Sequence, residues 1–496
     1  MDRTTITLHS AYQIGEVDPR VFGGFLEHIG RAVYEGVYDP RSAHADEAGF
    51  RTDVLNAMRR LRMTAMRYPG GNFASGYHWM DGIGPREARP TVRELAWQSL
   101  ESNAFGTDEY IALCRKMSWT PMITVNLGTG TPEEARNWLE YCNAPAGSKY
   151  ADMRAANGNP DPYAVKLWCL GNEMDGPWQL GHVPASDYAI RAQQAAKMMK
   201  DLDRSAELVL CGSCTTGLPS YMAWDQEVLD YVGDLVDFIS LHRYVGNRTD
   251  DTADYLAVTA SIDRQIEEMD AACRFIQAKH RSKKRAYLCF DEWNVWYKSS
   301  AMDGEGKHAP HLIEEIYNLE DALVVAGFLN SFIRHADVVK IANIAQIVNV
   351  IAPLLTRGDA LLIQPTFYPF EMIAQRGEGV ALQAIVDGPR YEGATNGEVP
   401  VIDASAILNG DVLHIFVANR SLSESAEVLV APADRTIVGV GAAEVLVGPG
   451  PKAANSFDQP DLVVSRPFTG TRLVDEGATM TLPPLSFTAV TLHLKA

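Results

Sequence analysis

The feature that most restricts the fold of this chain is a repeated alternation of short apolar segments with longer amphipathic ones. Short apolar runs flanked by helical periodicity favour strands buried on both faces, and eight such runs indicate a parallel sheet closed into a (β/α)8 TIM barrel. An open, doubly wound sheet is the alternative that periodicity alone leaves open. The eight predicted strands are 22–27, 63–68, 122–126, 165–170, 208–211, 238–242, 286–290 and 339–345.

Helix signals occur between these strands. Thr131-Pro132-Glu133-Glu134 combines an N-cap residue, a proline at the first helical position and a capping-box glutamate, which together predict a helix start. Further helices are predicted over 186–204, 251–279 and 318–335, and a last one over 366–375 closes the barrel.

The pattern changes after about residue 379. The rest of the chain consists of β-branched runs interrupted by Gly, Pro, Asn and Asp, which is typical of an all-β sandwich. We therefore expect a C-terminal, jelly-roll-like sandwich that the N-terminal strand joins. The predicted units are residues 1–17 (N-terminal strand), 18–378 (barrel) and 379–496 (sandwich).

Composition excludes several classes of function. The net charge of −19 argues against nucleic-acid or anionic-membrane binding. No apolar run approaches the roughly 18 residues that a membrane span needs, and the N-terminus has no signal-peptide core. Seven scattered cysteines suit buried thiols in a reducing compartment. These observations predict a cytoplasmic protein.

Polar residues follow almost every predicted strand. In a (β/α)8 barrel the chemistry lies at the carboxyl ends of the strands, so these residues should meet at one mouth. They are Glu27-His28 after strand 1, Arg67 to Asn72 after strand 2, Asn126, Asn172-Glu173, His242-Arg243-Tyr244, Asp291 to Asn294, and Gln346 with Asn349 after strand 8.

Glu173 and Glu292 are the candidate catalytic pair. They end strands 4 and 7, which lie on different sides of a barrel mouth, so the two carboxyl groups can face each other across a sugar ring. Glycoside hydrolysis needs such a pair: one group protonates the leaving oxygen, and the other attacks as a nucleophile or activates water. The pair predicts a glycoside hydrolase.

Six segments carry a resemblance to a known family. FLEHIGRAVYEGVYDP, MRYPGGNFASGYHWMDGIGP, WCLGNEMDGPWQLGH, FISLH, FDEWNVWY and AQIVNVIAP resemble the corresponding segments of family 51 α-L-arabinofuranosidases. The resemblance covers the whole barrel and is weak over the C-terminal β region. It implies a clan-A barrel with a β-sandwich, hydrolysis with retention, no metal and no cofactor, and a homo-oligomer, often a hexamer. It also implies that Glu173 is the acid/base and Glu292 the nucleophile.

The family pattern further suggests residues that hold the arabinofuranose hydroxyls or orient the glutamates: Glu27, Arg67, Asn72, Asn172, Tyr244 and Gln346. Their chemistry fits, because Asn172 could donate to the sugar 2-OH and Tyr244 could donate to the nucleophile. Trp97 and Trp296 are expected either as apolar walls of the sugar site or as plain core packing.

Three other signals carry less weight. Arg243 stands where the family pattern suggests an uncharged residue, and strand alternation should turn it away from the site if His242 and Tyr244 face inward. Cys211 and Cys214 have CxxC spacing without a second pair, which favours buried thiols over a redox or zinc site. The long loop 298–311 suits a lid or a wall of the site, or disorder.

Taken together, the sequence predicts an exo-acting, retaining α-L-arabinofuranosidase. Its substrates are terminal arabinofuranosyl residues of arabino-oligosaccharides, arabinan or arabinoxylan. The alternatives are another clan-A glycosidase, such as an endoglucanase or β-xylosidase, and a non-catalytic carbohydrate-binding barrel.

Overall fold

A closed barrel of eight parallel strands forms the centre of the protein. The structure, a computed structural model, describes residues 3–299 and 303–495. Through the barrel these residues contain strands β1 (Thr4–Leu8), β2 (Gln13–Glu16), β3 (Gly23–Phe25), β4 (Ala65–Tyr68), β5 (Val92–Arg93), β6 (Leu100–Glu101), β7 (Thr120–Thr124), β8 (Leu167–Leu170), β9 (Glu207–Leu210), β10 (Phe238–Val245), β11 (Tyr287–Val295) and β12 (Val339–Ala345).

The helices surround this barrel. The described helices are α1 (Thr52–Arg60), α2 (Thr107–Met117), α3 (Pro132–Asn143), α4 (Lys149–Ala156), α5 (Ala185–Leu202), α6 (Ala223–Val232), α7 (Thr252–Leu256), α8 (Thr259–His280), α9 (Leu319–Arg334) and α10 (Phe367–Ala374). Four 3-10 turns accompany them, at Pro19–Phe22, Asn72–Gly76, Trp79–Gly82 and Arg86–Ala88.

The barrel prediction is confirmed. Its strands pair in the cyclic order β3-β4-β7-β8-β9-β10-β11-β12, and each neighbouring pair is parallel. Each predicted strand overlaps one of these eight. The predicted ends of strands 6 and 7 are too early, because β10 continues to Val245 and β11 to Val295. Glu292 therefore lies inside a hydrogen-bonded strand and not in the loop after it.

Apolar side chains fill the barrel interior below its mouth. Met122, Leu167, Val209, Phe238 and Ile341 come from five different strands and form one buried cluster. A packed interior of this kind holds the strands rigidly and fixes the positions of the residues at their carboxyl ends.

The helix predictions hold with two differences. Thr131 caps α3, since its Oγ1 accepts a hydrogen bond from Glu134 N at 3.1 Å, but the Glu134 carboxylate pairs with His78 at 3.0 Å. The second half of the predicted capping box is therefore not used. The predicted helix over 251–279 is two helices, α7 and α8, with Asp251 as the cap of the first.

The C-terminal region forms a two-sheet β-sandwich, as predicted. A separate hairpin of β13 (Leu354–Arg357) and β14 (Ala360–Ile363) lies in the chain between β12 and α10. The strands of the C-terminal region are β15 (Val380–Leu382), β16 (Ile385–Asp387), β17 (Arg390–Gly393), β18 (Gly397–Pro400), β19 (Ile402–Asn409), β20 (Val412–Asn419), β21 (Ala426–Pro432), β22 (Thr436–Val447), β23 (Val464–Pro467), β24 (Thr471–Val474), β25 (Gly477–Leu482) and β26 (Ser486–Lys495), of which β17 and β18 form a hairpin of their own.

Both N-terminal strands belong to this sandwich. The five-stranded sheet has the order β16-β1-β21-β25-β24, and the seven-stranded sheet has the order β2-β15-β19-β20-β26-β22-β23. Ile6 of β1 packs with Ile415 and Val490 of the opposite sheet in one buried core. The predicted unit limits at residues 17 and 378 stay a prediction.

Helix α9 joins the barrel to the sandwich. Its residues from Leu319 to Ile333 are all buried, and at its end Arg334 Nη1 lies 2.9 Å from Asp403 Oδ1 in β19. A continuous buried core extends from the barrel through α9 to Phe416 and Phe487 of the sandwich.

The cysteine prediction is also confirmed. All seven cysteines lie in the described part of the chain, where they are buried and form no disulfide. Among the described helices, none combines the length and the apolar character that crossing a bilayer requires.

Candidate functional site

The barrel mouth brings the predicted polar residues together around Glu292. The carboxylate of this residue accepts hydrogen bonds at both oxygens, from Arg67 Nη1 to Oε1 at 2.7 Å and from the Tyr244 hydroxyl to Oε2 at 2.8 Å. Glu292 is only 5% exposed. Its orientation is thus fixed from two sides, by β4 and by β10.

A register irregularity explains how two successive acids face the same region. The pairing of β11 with β12 shifts between Phe290 and Trp293, as it does in a β-bulge, which turns a side chain out of strict alternation. Asp291 and Glu292 therefore both contact Arg67, at 3.2 Å from its Nε and 2.7 Å from its Nη1.

Arg67 is the charged centre of the mouth. It is fully buried, and its Nη2 donates to Asn172 Oδ1 at 2.7 Å. Burial opposes its charge, but Asp291 and Glu292 nevertheless raise its pKa well above the ordinary value. The pKa of Asp291 is lowered, since Arg67 and His242 outweigh the effect of burial. Arg67 therefore offsets part of the negative charge of the site.

Glu173 lies on the opposite side of the mouth, just after β8. Its Oε1 is 2.9 Å from His242 Nδ1, and its Oε2 accepts a hydrogen bond from Trp178 Nε1 at 2.6 Å. The backbone φ of Glu173 is +43°, in a region that non-glycine residues rarely occupy. The next residue is anchored, because Met174 N donates to Cys211 Sγ at 3.3 Å.

His242 connects the two glutamates. Its Nδ1 lies 2.9 Å from Glu173 Oε1 and 3.6 Å from Glu292 Oε2, while its Nε2 lies 3.1 Å from Asp291 Oδ1. Burial alone would lower the pKa of the ring, but these carboxylates raise it well above its ordinary value. Ligand atoms of Glu173, His242 and Glu292 all lie within 4.8 Å of one another, which makes them the one three-residue group in the described chain with metal-ligand spacing.

Glu27 forms the third carboxyl group of the mouth. Its Oε1 accepts hydrogen bonds from Phe73 N and from Trp97 Nε1, both at 3.0 Å, and Gln346 Nε2 lies 3.2 Å from its Oε2. Burial and the charge of Glu292 raise the pKa of Glu27 to about 8. Glu27 is thus a polar group whose position is fixed by three hydrogen-bond donors.

Trp97 lies at the tip of the β5–β6 hairpin, and its backbone is hydrogen-bonded to the buried carboxylate of Glu94. Glu94 accepts hydrogen bonds from Trp97 N at 3.0 Å and from Ser99 N and Ser99 Oγ at 2.8 Å. Segment 303–308 lies along this hairpin, with Gly304 N donating to Trp97 O at 2.8 Å. Trp97 is therefore a positioned hydrogen-bond donor to Glu27 and not only core packing.

The remaining predicted residues lie in different surroundings. Asn72 begins the 3-10 turn that follows Gly71, and no side-chain hydrogen bond links it to the carboxylates of the described mouth. Trp296 is half-buried and stands edge-on to Tyr244, with ring centroids 5.5 Å apart. Arg243 points away from the carboxylates, as alternation predicted, and donates to Thr216 Oγ1 at 2.8 Å and to Ser261 Oγ at 2.7 Å.

The two other signals have local explanations. Cys211 and Cys214 are buried, and Asp175 accepts a hydrogen bond from Cys214 N at 3.1 Å. Through their contacts with Met174 and Asp175, both cysteines stabilise the loop that follows Glu173. Of the loop 298–311, residues 300–302 lie outside the described part, and residues 303–308 border the β5–β6 hairpin.

Four contributors had no predicted catalytic or binding role. His242 and Asp291 were expected at the mouth as strand-end residues without an assigned role, and Trp178 and Glu94 were not predicted there. His242 could have been selected, because it lies two positions before Tyr244 on the same strand and so faces the same side. Asp291 shows no such signal, since strict alternation would turn it away from Glu292. Trp178 and Glu94 lie in loops, whose paths no strand periodicity fixes.

Comparison with known proteins identifies relatives of the whole chain. Residues 57–259 match the family model of the α-L-arabinofuranosidase 1 domain, and residues 291–486 match that of the α-L-arabinofuranosidase C-terminal domain. An intracellular exo-α-(1→5)-L-arabinofuranosidase of Acetivibrio thermocellus is 46% identical over 434 residues, which are 86% of each chain. An exo-α-(1→6)-L-arabinofuranosidase of Bifidobacterium longum is 38% identical over 512 residues, covering 100% of this chain and 98% of the relative.

A solved structure agrees with the fold. A family 51 α-L-arabinofuranosidase from Bifidobacterium longum superimposes with a TM-score of 0.94 at 35% identity, over 99% of both chains. The similarity thus includes the barrel, the sandwich and the N-terminal strands together.

Proposed function

This chain belongs to the family 51 α-L-arabinofuranosidases, and on that premise we propose that it removes terminal, non-reducing α-L-arabinofuranosyl residues by a double displacement with retention. The substrates are arabino-oligosaccharides, arabinan or arabinoxylan. Glu292 is the nucleophile and Glu173 the acid/base.

The spacing of the two carboxylates carries the proposal of retention. One carboxylate oxygen of Glu173 and one of Glu292 lie within 4.8 Å of each other. The carboxyl groups of retaining glycosidases are about 5–5.5 Å apart, whereas inverting enzymes leave about 6.5–9.5 Å for a water molecule. The spacing here favours direct attack by Glu292 on the anomeric carbon.

In the first step Glu292 forms a bond to the anomeric carbon while Glu173 gives its proton to the leaving oxygen. Arg67 and Tyr244 hold the Glu292 carboxylate ready for attack. Asn172 Oδ1 accepts a hydrogen bond from Arg67, and its amide Nδ2 donates one N–H to Gln179 Oε1 at 3.4 Å, which leaves the second N–H for the sugar. That group is suited to donate to the sugar 2-OH, a hydrogen bond that strengthens in the transition state.

In the second step water replaces Glu292 on the same face from which the leaving group departed. Glu173, now ionised, takes a proton from that water. His242 and Trp178 hold the two oxygens of Glu173 in place for both steps. The sugar keeps its α configuration because the anomeric carbon is inverted twice.

The other residues at the mouth form the sugar-binding surface. Glu27 and Gln346 are locked to each other, since Gln346 Oε1 also accepts from Glu27 N at 2.9 Å, and they offer fixed polar groups to the sugar hydroxyls. Asn72, which follows Gly71 in the loop after β4, is the remaining polar group that we expect to bind the sugar. Trp97 and Trp296 bound the site with aromatic surface.

We further propose that the enzyme acts inside the cell, as the name of the Acetivibrio thermocellus relative says of that protein, and that its substrates there are short oligosaccharides. The relatives differ in the linkage that their names give, (1→5) in one and (1→6) in another, so the linkage preference of this chain is a separate question. A homohexamer is the proposed assembly, by family resemblance.

The test is hydrolysis of 4-nitrophenyl α-L-arabinofuranoside, followed by NMR of the first-formed sugar. We expect turnover and initial α-anomer. First-formed β-anomer would contradict retention, and turnover confined to β-xylosides or cellulose would favour another clan-A activity. A non-catalytic barrel predicts that wild type and Glu292→Ala behave alike on all substrates. Arabinobioses of each linkage, assayed in parallel, give the linkage preference.

A further inference from the structure

The two glutamates and His242 form a cluster that fits a transition-metal cation as well as a sugar. We infer that Zn²⁺ binds between Glu173, His242 and Glu292 and thereby inhibits the enzyme. The inference rests on the proposed function only in that these two carboxylates are the reacting groups. It makes the cation an inhibitor of the reaction and not a participant in it.

The ligand set has the composition that zinc prefers. Zn²⁺ takes imidazole nitrogen and carboxylate oxygen at about 2.0–2.2 Å, and sites with three protein ligands leave a fourth position for water. At these bond lengths the ligand atoms of a tetrahedral site are about 3.3–3.5 Å apart. The distances from His242 Nδ1 to Glu173 Oε1 and Glu292 Oε2 are 2.9 and 3.6 Å, and all three ligand atoms lie within 4.8 Å of one another. Movements of the two glutamate side chains by up to about 1.3 Å therefore create the site.

The surroundings of His242 provide an independent argument. The second ring nitrogen of a zinc-binding histidine usually contacts a carboxylate, which fixes the orientation of the ring. His242 Nε2 lies 3.1 Å from Asp291 Oδ1, and Arg67 holds Asp291 from the other side at 3.2 Å. The ring is therefore already oriented with Nδ1 toward the two glutamates.

Charge and burial also favour the cation. Glu173, His242 and Glu292 are all at most 8% exposed. The carboxylates of Glu173, Asp291 and Glu292, less the single positive charge of Arg67 that pairs with the last two, leave the charge that a dication offsets. The cation takes the place of the proton that His242 Nδ1 shares with Glu173. Bound there, it occupies both reacting carboxylates, so it must compete with the sugar.

The test uses the full-length enzyme after EDTA treatment and desalting. Calorimetric titration with ZnCl₂ at pH 7.5 should show one equivalent bound with micromolar or tighter affinity. In steady-state assays Zn²⁺ should raise the apparent KM and leave kcat unchanged, and EDTA should restore full activity. Mg²⁺ and Ca²⁺ should have little effect, since they prefer oxygen ligands in larger number.

Three variants localise the binding. His242→Gln and Glu173→Gln each remove a ligand and should weaken Zn²⁺ binding at least about 100-fold, and Asp291→Asn should weaken it about 10–100-fold by freeing the ring. Circular dichroism shows whether each variant folds. Because two ligands are replaced separately, the test still works if one of the two variants does not fold. The matched control is His78→Gln, which removes a surface histidine that pairs with Glu134, and it should bind zinc like wild type.

The opposite results would overturn the inference. They are stoichiometric Zn²⁺ binding that both ligand variants retain, inhibition that lowers kcat without raising KM, or no binding up to millimolar Zn²⁺. Calorimetry does not depend on turnover, and the EDTA-treated enzyme is assayed without zinc. Failure of the zinc site and failure of the proposed hydrolase activity are therefore distinguishable.

Discussion

Gly71 faces Glu292 so closely that a Cβ atom at position 71 would lie 2.6 Å from Glu292 Oε1. The same Cβ would lie 3.3 Å from Asn172 Nδ2. Glu292 Oε1 is also the oxygen that Arg67 holds. Only a residue without a side chain therefore fits at position 71, next to the nucleophile.

The first prediction is that Gly71→Ala displaces Glu292 and inactivates the enzyme. A methyl group at 2.6 Å forces the carboxylate or the loop to move, and misplacement of a reacting group by about 1 Å can reduce the rate about 100-fold. We expect kcat/KM on 4-nitrophenyl α-L-arabinofuranoside to fall about 100-fold with little change in thermal stability.

Gly76→Ala is the control for that variant. It lies in the same loop, but its Cβ would meet only the end of the Leu180 side chain, at 3.3 Å. It should keep activity within about threefold, because a flexible side chain can yield by a few tenths of an ångström. Equal activity of both variants would show that the close approach of Gly71 to Glu292 does not affect catalysis.

The second prediction concerns Tyr244→Phe, which removes the hydroxyl that donates to Glu292 Oε2 at 2.8 Å. Burial and the neighbouring negative charges raise the pKa of Tyr244 well above its ordinary value, so the hydroxyl stays a donor throughout the working range. A hydrogen bond to a charged group contributes about 1.5–3 kcal/mol, equivalent to a loss of roughly 10- to 150-fold in kcat.

The pH profile gives a second measurement on this variant. Without the hydroxyl the carboxylate is less favoured, so the acid limb of the kcat/KM profile should move to higher pH. Tyr221→Phe is the matched control, since Tyr221 also donates to a glutamate, Glu268, at 2.7 Å, away from the mouth. A profile of Tyr244→Phe that overlays wild type would argue against the hydrogen bond as a catalytic contribution.

The third prediction assigns a positioning role to Glu94. Glu94→Ala leaves the buried N–H groups of Trp97 and Ser99 without their acceptor, so the hairpin that brings Trp97 to Glu27 should loosen. Because Trp97 and Glu27 hold the sugar and do not react, we expect KM to rise about 10-fold with kcat within about threefold of wild type.

Glu94→Gln tests the same role with a smaller change to the hydrogen bonds of the hairpin. It keeps one acceptor oxygen, so its KM should lie between wild type and Glu94→Ala. Glu305→Gln, on the neighbouring segment, removes an exposed ion pair with Lys307 and should leave both constants unchanged. A fall in kcat alone for Glu94→Ala would contradict a role in sugar binding.

The fourth prediction concerns stability in the sandwich. Burial lowers the pKa of His414 on β20 to about 4, and the positive charges of Arg376 and His493 add to this effect. The ring is neutral when folded and titrates near 6.5 when unfolded, so the unfolded chain binds more protons between these values. The contribution of His414 to stability is full above about pH 6.5 and is lost as pH falls toward 4.

His414→Gln should therefore reduce the dependence of Tm on pH. His414 is half-buried, so solvent screening limits the effect to about 1 kcal/mol, which is about 1–2 °C for a chain of this size. Differential scanning fluorimetry at pH 7 and pH 5 should show a smaller fall for the variant than for wild type. Parallel falls would show that His414 does not contribute.

The sequence was sufficient to predict which residues meet, because strand order in a closed barrel places the strand ends at one mouth. Glu27, Arg67, Glu173, Tyr244, Glu292 and Gln346 follow from that rule alone. The rule also places Asp291 at the mouth, but it does not predict that Asp291 faces the same region as Glu292, because the bulge beside it depends on the pairing of β11 with β12. Glu94 does not follow from the rule, since its role arises from a loop whose path is set by hydrogen bonds and not by periodicity.

The last prediction separates the roles of the two glutamates by leaving group. Glu173→Ala lacks the proton donor, so it should hydrolyse substrates with phenolate leaving groups of low pKa and fail on arabinobiose, whose leaving alcohol needs protonation. Glu292→Ala lacks the nucleophile and should lose at least about 1,000-fold on both substrates. Azide rescues both variants by acting as a nucleophile that needs no general base: it replaces water in Glu173→Ala and the missing carboxylate in Glu292→Ala, so it attacks opposite faces of the sugar. With Glu173→Ala it attacks the glycosyl-enzyme and gives the α-azide, whereas with Glu292→Ala it attacks the substrate directly and gives the β-azide. NMR of the azide products reads the anomer, and an exchange of the two outcomes would reverse the assignment of acid/base and nucleophile.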